Sequence, residues 1–304
     1  MALRGRLGSA RVVVLTITDD EFPPVQQIFQ AGAQIMVGRP YFASAVSPSQ
    51  EYGVIIRQIA DRTNHPTANA VGKAIEHFRP EFLILAGTAG GVHGRENIAL
   101  GDVVVANYVD YCEFRKLLPR RNLSRRVPFD QPSLYLRENF VDPLRRRNDW
   151  MNKIPGPPPP APSLSPRWPS PMRVLTQALR ASVGAGIPAP LTQGNVPKVL
   201  QANIVSGEKI WGDPTSIEQR RMLREYDKVA AIETEAVGLA TEVFAQRSSV
   251  HYNPQYLVIR GISDMVNLKG NDPTRHQWSG YAAAAAAAFT FCLVQDILAA
   301  PAPL

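Results

Sequence analysis

Two short apolar runs in the second half of the chain end in acidic residues, and this pattern constrains the fold more than any other. Residues 256–264 read YLVIRGISD, and residues 229–236 read VAAIETEA. Short runs rich in β-branched residues are typical of buried strands in a parallel sheet. Ligands of open α/β sheets bind beyond the carboxyl ends of such strands. The acids Glu233, Glu235 and Asp264 are therefore candidate site residues.

These acids also have a structural interpretation, because carboxylates stabilise helix N-termini. The glycine run GTAGG at 87–91, which follows another predicted strand, favours a site instead. Glycine lets the backbone approach a ligand closely. The run matches neither the dinucleotide-binding pattern nor the phosphate-binding loop of nucleoside triphosphatases. Taken alone, it is equally compatible with a tight structural turn.

Predicted strands and helices alternate along the chain, which indicates an α/β fold with a mixed or parallel sheet. Further strands are predicted at 11–18, 81–86, 102–106 and 201–206, with short β-like segments at 35–46 and 52–59. Helices are predicted at about 19–33, 66–78, 172–183 and 216–226. A polar loop at 267–278 precedes seven alanines at 282–288. Because alanine is small and the best helix former, the alanines predict a terminal helix packed closely on a sheet or a partner subunit.

Length and composition limit the class of protein. The chain has 304 residues, of which 45% are hydrophobic, so it can bury a large core. No run approaches the roughly 20 apolar residues of a membrane helix, and the first apolar segment is too short for a signal peptide. Cys112 and Cys292 match no metal-binding spacing and no disulfide framework. We therefore expect a cytoplasmic protein without a metal, a cofactor or a membrane partner.

The net charge of +7 is concentrated in one segment. Residues 113–153 hold eleven Lys or Arg and five acids, and proline-rich sequence follows up to about residue 172. A proline tract such as 155–160 cannot form a helix interior or a central strand, so it predicts a connector or a surface loop. Because the α/β pattern resumes afterwards, we predict a single domain over residues 1–304 with an Arg/Pro-rich insertion at about 113–172.

Five short motifs occur in the order found in one enzyme superfamily. They are LTITDDE at 15–21, GTAGG at 87–91 with LGDVVV at 100–105, IVSGE at 204–208, IETEA at 232–236 and VIRGISD at 258–264. Together they resemble the nucleoside phosphorylase/nucleosidase superfamily, in particular its methylthioadenosine/S-adenosylhomocysteine nucleosidase-like branch. The resemblance implies a three-layer α/β fold, with a central mixed, twisted sheet flanked by helices, and a homo-oligomer. It covers residues 12–298 but has no counterpart for the insertion.

The resemblance also implies roles for individual residues. Asp264 would donate a proton to the leaving purine, and Glu21 would activate the attacking water. Glu235 would bind the ribose hydroxyls, Glu233 lies in the same motif, and Thr234 stands where the family commonly has methionine. Further substrate-binding candidates are Thr88, Ala89, Gly90, Ile210, Trp211 and Ser263. The chemistry agrees, because the oxocarbenium-like sugar formed on cleavage is stabilised by a nearby anion, and a buried acid with a raised pKa is a suitable proton donor.

Three of these residues have simpler interpretations. Glu21 could be a first-turn helix acid, Trp211 a core residue or loop anchor, and Ser263 a helix cap rather than a residue that orients Asp264. The acid motif at 15–21 makes the functional interpretation of Glu21 the preferred one.

Three functions remain open from the sequence. We favour hydrolysis of the N-glycosidic bond of adenine nucleosides or nucleotides, of the methylthioadenosine, adenosine or ATP type, because the acids at 19–21 would repel phosphate. A phosphate-dependent purine nucleoside phosphorylase is one alternative. A non-catalytic nucleotide- or nucleic-acid-binding module is the other. The chain has no basic motif interleaved with aromatic residues, which argues against nucleic acid as a partner.

The polar stretch 269–272 resembles related domains of immune-type effectors, some of which cleave purine nucleotides including ATP. In that case the insertion would bind the 5′-phosphates through Arg145, Arg146 and Arg147, since guanidinium groups match phosphate oxygens. The alternative is that residues 113–153 form a solvated surface or an oligomer contact.

Overall fold

The fold is built on a mixed sheet of nine strands. The structure is a computed structural model that describes residues 10–37, 39–44, 53–59, 61–118, 121–124, 127–160, 196–247 and 252–300. In chain order the sheet strands are β1 (Val12–Thr16), β2 (Ala31–Val37), β3 (Arg39–Ser44), β4 (Val54–Gln58), β5 (Phe82–Gly91), β6 (Val103–Tyr111), β9 (Val199–Ser206), β10 (Val229–Glu233) and β11 (Gln255–Met265). The strands β7 (Arg115–Leu118) and β8 (Arg121–Ser124) form a separate hairpin. The predicted mixed sheet is confirmed.

Five of the strands close into a ring at one end of the sheet. The sheet order is β10-β9-β6-β11-β5-β1-β4-β3-β2, and β10 also pairs with β5. This second pairing is antiparallel and joins Ile232 to Gly90. It brings the carboxyl ends of β5, β10 and β11 together, and these are the strands whose motifs carry the predicted acids.

Helices cover both faces of the sheet, which gives the three layers expected. One face packs against α2 (Asn64–Phe78) and α6 (Ala236–Gln246), with residues such as Val71 and Leu239 in its core. The other face packs against α1 (Phe22–Ile28) and the long helix α7 (Asn271–Ala299). A further helix, α5 (Ile217–Glu225), lies over a smaller apolar cluster.

Several predicted boundaries are wrong. The predicted helix at 19–33 is only the short helix α1, because the left-handed backbone of Gln30 ends it and β2 begins at Ala31. The glycine run 87–91 is not a loop but the end of β5, since it pairs with β11 and β10. Two thirds of the expected polar loop at 267–278 belong to α7, which begins at Asn271. The predicted helix at 172–183 lies outside the described residues.

The helical part of the insertion packs its apolar residues into the fold, while its arginines at 145–147 are exposed. After the β7–β8 hairpin the insertion forms a helical segment made of α3 (Leu134–Leu136), a π-helical turn (Arg137–Val141), α4 (Asp142–Arg147) and a 3-10 turn (Asp149–Lys153). Trp150 is fully buried, and its ring meets that of Phe289 edge to face with centroids 5.7 Å apart. The apolar residues of this segment therefore complete the core beside α7, which explains why the segment is ordered despite its charge.

Helix α7 is a core helix. All seven alanines of 282–288 are buried, as predicted for a helix packed closely on the sheet. By length and composition alone α7 is long and apolar enough to cross a membrane, with a mean hydropathy of 1.7 over its most apolar 18 residues. However, 72% of that stretch is buried inside the fold, as in the core helix of a globular protein.

Candidate active site

A cavity of about 260 Å³ lies at the closed end of the sheet, where β1, β5, β10 and β11 end. All the residues predicted for catalysis and for binding of base and sugar line it. These are Glu21, Thr88, Ala89, Gly90, Ile210, Trp211, Glu233, Thr234, Glu235, Ser263 and Asp264. The three carboxylates assigned different roles in the sequence thus share one cavity.

Asp264 is buried near the end of β11, where this strand still pairs with β5. The register slips between Ile262 and Asp264, which is a β-bulge of the kind that re-aims side chains next to active sites. Burial raises the pKa of Asp264 to about 6. The Ser263 hydroxyl lies 2.9 Å from its Oδ1 and opposes this rise. Ser263 thus donates a hydrogen bond to the acid, and the acid retains its proton further towards neutral pH than an exposed aspartate does.

The Glu21 carboxylate accepts four hydrogen bonds, and none of them comes from the first turn of α1. Its Oε2 accepts from the backbone N–H groups of Ile17 and Thr18 at 3.0 and 3.1 Å. Its Oε1 accepts from the backbone N–H of Thr88 at 2.7 Å and from the Thr88 hydroxyl at 2.9 Å. The carboxylate therefore joins the end of β1 to the glycine-containing end of β5. The interpretation of Glu21 as a first-turn helix acid is not supported, because α1 makes no side-chain cap with it.

The two glutamates of β10 have different environments. Glu233 accepts from the backbone N–H groups of Glu235 and Ala236, at 3.1 and 3.0 Å for its Oε2, so it caps α6. Glu235 accepts at its Oε1 from the backbone N–H of Thr63 at 3.3 Å and from the hydroxyl of Thr234. Burial raises the pKa of Glu235, while Arg260 acts against the rise. Both carboxylates line the cavity, but only that of Glu233 accepts from the backbone N–H groups at the start of α6.

Arg260 is a site residue that the sequence reading missed. It is fully buried, and its Nη2 donates to Glu233 and to Oε2 of Glu235, the latter at 3.1 Å. Burial acts to lower its pKa, but Glu233, Glu235 and Glu21 outweigh burial and raise it, so the guanidinium stays charged. A charged residue inside a fully apolar strand needs such partners, and this is the signal that could have revealed it.

The guanidinium of Arg260 is only partly hydrogen-bonded. Its Nη1 and Nε have no hydrogen-bond partner among the described residues. A Cβ placed on Gly87 would lie 2.5 Å from this Nη1 and 2.6 Å from Oε1 of Glu21, so the two groups flank the same glycine. Gly87 is thus required for space rather than for a turn.

Asn64 connects the two sides of the cavity. Its amide nitrogen donates to the carbonyl of Gly207 at 3.0 Å and to Glu208 at 2.8 Å. Its amide oxygen accepts from Ser206 at 3.1 Å and from the backbone N–H of Gly238 at 2.9 Å. Every hydrogen-bonding position of this buried amide is used. Asn64 therefore holds the loop that carries Ile210 and Trp211 at a fixed distance from α6.

The loop after β9 forms one side of the cavity and is partly exposed to solvent. Trp211 is partly buried, and the ammonium group of Lys209 lies 5.9 Å from its ring centroid. Ile210 is 62% exposed. An apolar pair at the edge of the cavity can cover the flat face of a planar ligand. Trp211 packs, partly buried, against the small apolar cluster that includes Met222 and Val266, so its interpretation as a loop anchor stays open beside that as a residue that stacks on a base.

The arginines proposed for phosphate binding lie elsewhere. None of Arg145, Arg146 and Arg147 lines the cavity. Arg147 binds Asp296 at 2.9 Å, near the end of α7 opposite to the turns that face the cavity. The twenty residues from His276 to Asp296 correspond to about 30 Å of helix. The structure therefore does not bring these three arginines to the cavity, because the insertion packs against the far half of α7, and this placement gives no support to their predicted binding of a 5′-phosphate.

Ten further residues line the cavity, of which four belong to the motifs at 15–21 and 232–236 and six had no sequence signal of function. They are Ile17, Thr18, Asp20, Arg62, Lys209, Ile232, Val266, Arg275, His276 and Ser279. In the described ranges, no group of three or more His, Cys, Asp or Glu residues is arranged to hold a metal ion.

The sequence model of the phosphorylase superfamily matches residues 54–299, which is most of the chain. The chain belongs to the phosphorylase superfamily. No curated protein sequence is significantly similar to this member of the superfamily. The suspected superfamily is thereby confirmed.

Solved structures of phosphorylase-superfamily fold are similar over nearly the whole chain. A Neisseria meningitidis 5′-methylthioadenosine/S-adenosylhomocysteine nucleosidase in complex with methylthio-immucillin-A has a TM-score of 0.62 and 16% identity, covering 94% of this chain and 98% of its own. A putative nucleosidase of the same name from Borrelia burgdorferi, bound to adenine, has a TM-score of 0.63 and 12% identity, covering 93% and 99%. The futalosine hydrolase of Helicobacter pylori has a TM-score of 0.61 and 14% identity, covering 95% and 98%. At these identities the likeness establishes the fold.

Proposed function

We propose that this protein is a purine nucleosidase that hydrolyses the N-glycosidic bond of an adenine nucleoside or nucleotide. One observation carries the proposal. Asp264, Glu21 and Glu235 line a single cavity, and each is held by different partners that suit a different task. Solved structures with the same fold include nucleosidases bound to adenine or to a methylthioadenosine analogue, which supports this class of substrate.

The proposed mechanism begins at the base. Asp264, protonated because of its burial, transfers its proton to a nitrogen of the five-membered ring of the purine, and the bond to the sugar breaks with its electrons going to the base. The sugar becomes an oxocarbenium-like cation. Glu235 binds the ribose hydroxyls and stabilises this cation electrostatically. Glu21 takes a proton from the water that attacks the anomeric carbon, which gives free ribose or its 5′ derivative.

Water is the better nucleophile for this cavity. Glu21 is buried and accepts four hydrogen bonds, so its position strongly disfavours an inorganic phosphate ion at the same place. Arg260 does not reverse this, because Glu233 and Glu235 already share its charge. We therefore favour hydrolysis over phosphorolysis.

The test is a substrate panel. Purified protein is incubated with methylthioadenosine, adenosine, inosine and ATP, with and without inorganic phosphate, and the released base and sugar are identified by chromatography. We expect adenine release that does not depend on phosphate, together with free ribose or its 5′ derivative. Base release that requires phosphate and gives ribose 1-phosphate would refute hydrolysis. Salt-dependent DNA binding without release of any base would favour the binding module.

A further inference from the structure

The mouth of the cavity is basic, in contrast to its floor. Four basic side chains line it from three separate segments: Arg62 precedes α2, Lys209 follows β9, and Arg275 and His276 lie in the first turns of α7. We call these four residues the basic rim. The carboxylates of the floor are buried, and Asp20 is the exposed acid among the lining residues.

The four rim residues differ in whether their side chains already form ion pairs within the protein. Lys209 binds Glu113 at 3.1 Å and Glu218 at 2.8 Å. Arg275 binds Asp272 at 2.8 Å, in a pair that is partly exposed and therefore weak. Arg62 forms no ion pair with any residue in the described part of the chain and is exposed. Arg62 thus has its full set of donors available to a ligand.

The position of Arg62 relative to the sugar follows from the proposed function, on which this inference rests. Thr63, the next residue, donates its backbone N–H to Glu235, the carboxylate assigned to the ribose hydroxyls. In a nucleoside, the ring carbon C4′ carries the 5′ substituent and is bonded to C3′, which carries the 3′-hydroxyl. The base is attached to C1′, on the other side of the ring. With the base at Asp264, the 5′ substituent leaves the sugar on the side of Arg62.

Helix α7 supplies the facing side of the rim. Ser279 donates to Asp20 at 3.3 Å, which ties this helix to the loop between β1 and α1. His276 is three residues before Ser279 and therefore on the same helix surface. The exposed acid of the mouth is thus already engaged by α7, and both Arg62 and His276 line the same cavity.

We propose that the basic rim binds the phosphate of a 5′-nucleotide, so that the substrate is an adenine nucleotide rather than an uncharged nucleoside. Arg62 is the main phosphate-binding residue, because a guanidinium group donates two parallel hydrogen bonds to phosphate oxygens. Arg275 lies near enough to Asp264 to act on the pKa of that acid, so its charge is closer to the base, and His276 adds a ring N–H donor from the same helix. The insertion arginines are replaced in this role by residues that surround the cavity itself.

The experiment compares kcat/KM for AMP, ATP and adenosine in the wild-type protein and in two variants. Arg62→Gln removes the rim charge, and Arg221→Gln removes an exposed arginine of α5 that lies outside the cavity. We expect the wild type to prefer AMP or ATP over adenosine. We expect Arg62→Gln to lower kcat/KM for the nucleotides by about tenfold or more, mainly through KM, while adenosine changes by less than about twofold. The Arg221→Gln variant should match the wild type.

Three outcomes would overturn the proposal. The first is a wild type that prefers adenosine or methylthioadenosine to AMP. The second is an Arg62→Gln variant that loses the same activity on charged and uncharged substrates. The third is base release that is accelerated by inorganic phosphate and loses this acceleration in Arg62→Gln, because the rim would then hold the nucleophile.

Binding measurements separate this proposal from the proposed function. Calorimetric titration of AMP and of adenosine into the Asp264→Asn variant, with and without Arg62→Gln, measures affinity without turnover. If no substrate is cleaved by the wild type but AMP binds more tightly than adenosine and only while Arg62 is present, hydrolysis fails and the basic rim is supported. Equal affinity for the two ligands, unchanged by Arg62→Gln, would refute the basic rim whether or not the protein is an enzyme.

Discussion

A carboxylic acid that donates a proton near neutral pH needs surroundings that disfavour its ionised form, and Asp264 has them. Its side chain is 4% exposed, and burial raises its pKa to about 6. The sequence indicated the residue from its place at the end of an apolar run. The pKa depends on what packs around it, which the sequence does not specify.

The first prediction concerns pH. Because only the protonated acid can donate, kcat/KM should fall as the pH rises through about 6. The hydrogen bond from Ser263 lowers the pKa of Asp264, so Ser263→Ala should move this falling limb to higher pH. A pH–rate profile measures both effects. An unchanged limb in Ser263→Ala, or a rate that is flat between pH 5 and 8, would contradict this role for Asp264.

The second prediction links activity to stability at the same residue. A folded pKa above that of an exposed aspartate means that protonation stabilises the fold, and this contribution is lost as pH rises through about 6. At pH 7 Asp264→Asn should therefore raise the free energy of unfolding by about 1 to 3 kcal/mol. The same variant should lower kcat by about 100-fold or more. Urea denaturation and steady-state kinetics test this pair of effects, and full activity in Asp264→Asn would refute the mechanism.

At the scale of elements, helix α7 lies so close to β11 that the contact depends on residues without side-chain bulk. A Cβ on Gly261 would collide with the backbone of Ala282. The first alanine of the run, Ala282, thus packs directly against the glycine of the VIRGISD motif, Gly261. The run predicted a closely packed helix, but which strand it meets was decided by the tertiary structure.

The third prediction tests this contact. Gly261→Ala should destabilise the protein by about 1 to 3 kcal/mol, because β11 or α7 must shift to make room. The matched control is Gly280→Ala in α7, where an added Cβ meets nothing within 4 Å. This control should be neutral or stabilise the protein by up to about 1 kcal/mol, since alanine favours a helix over glycine. Equal thermal denaturation midpoints for the two variants would show that the close packing is unimportant.

At the scale of the whole molecule, the site exists because the sheet closes on itself. The pairing of β10 with β5 brings Ile232 next to Gly90, and the acids that follow come to the same end as Asp264. Each strand end could be read as a candidate site from the sequence. Their meeting depends on strand order, since β10 and β5 are separated by more than a hundred residues.

The fold also places the insertion arginines away from the cavity, and the remaining prediction follows from this separation. Replacing Arg145, Arg146 and Arg147 together by glutamine should leave kcat/KM for AMP and for adenosine within about twofold of the wild type, because about 30 Å of α7 lies between Asp296, the partner of Arg147, and the basic rim. The same kinetic assay checks this. A selective loss of nucleotide cleavage would restore the phosphate-binding role of the insertion.

The sequence by itself determined the class of fold and eleven of the residues that line the cavity, and the resemblance of its motifs indicated the superfamily, because apolar runs, glycines and acids are local properties. It also gave the identity of the proton donor as a hypothesis. Only the tertiary structure decided that Arg260 joins Glu233 and Glu235, that Glu21 binds Thr88, and that Arg62 rather than the insertion borders the cavity. The reason is physical: burial, charge pairing and the side of the sheet on which a segment packs are set by contacts between residues far apart in the chain.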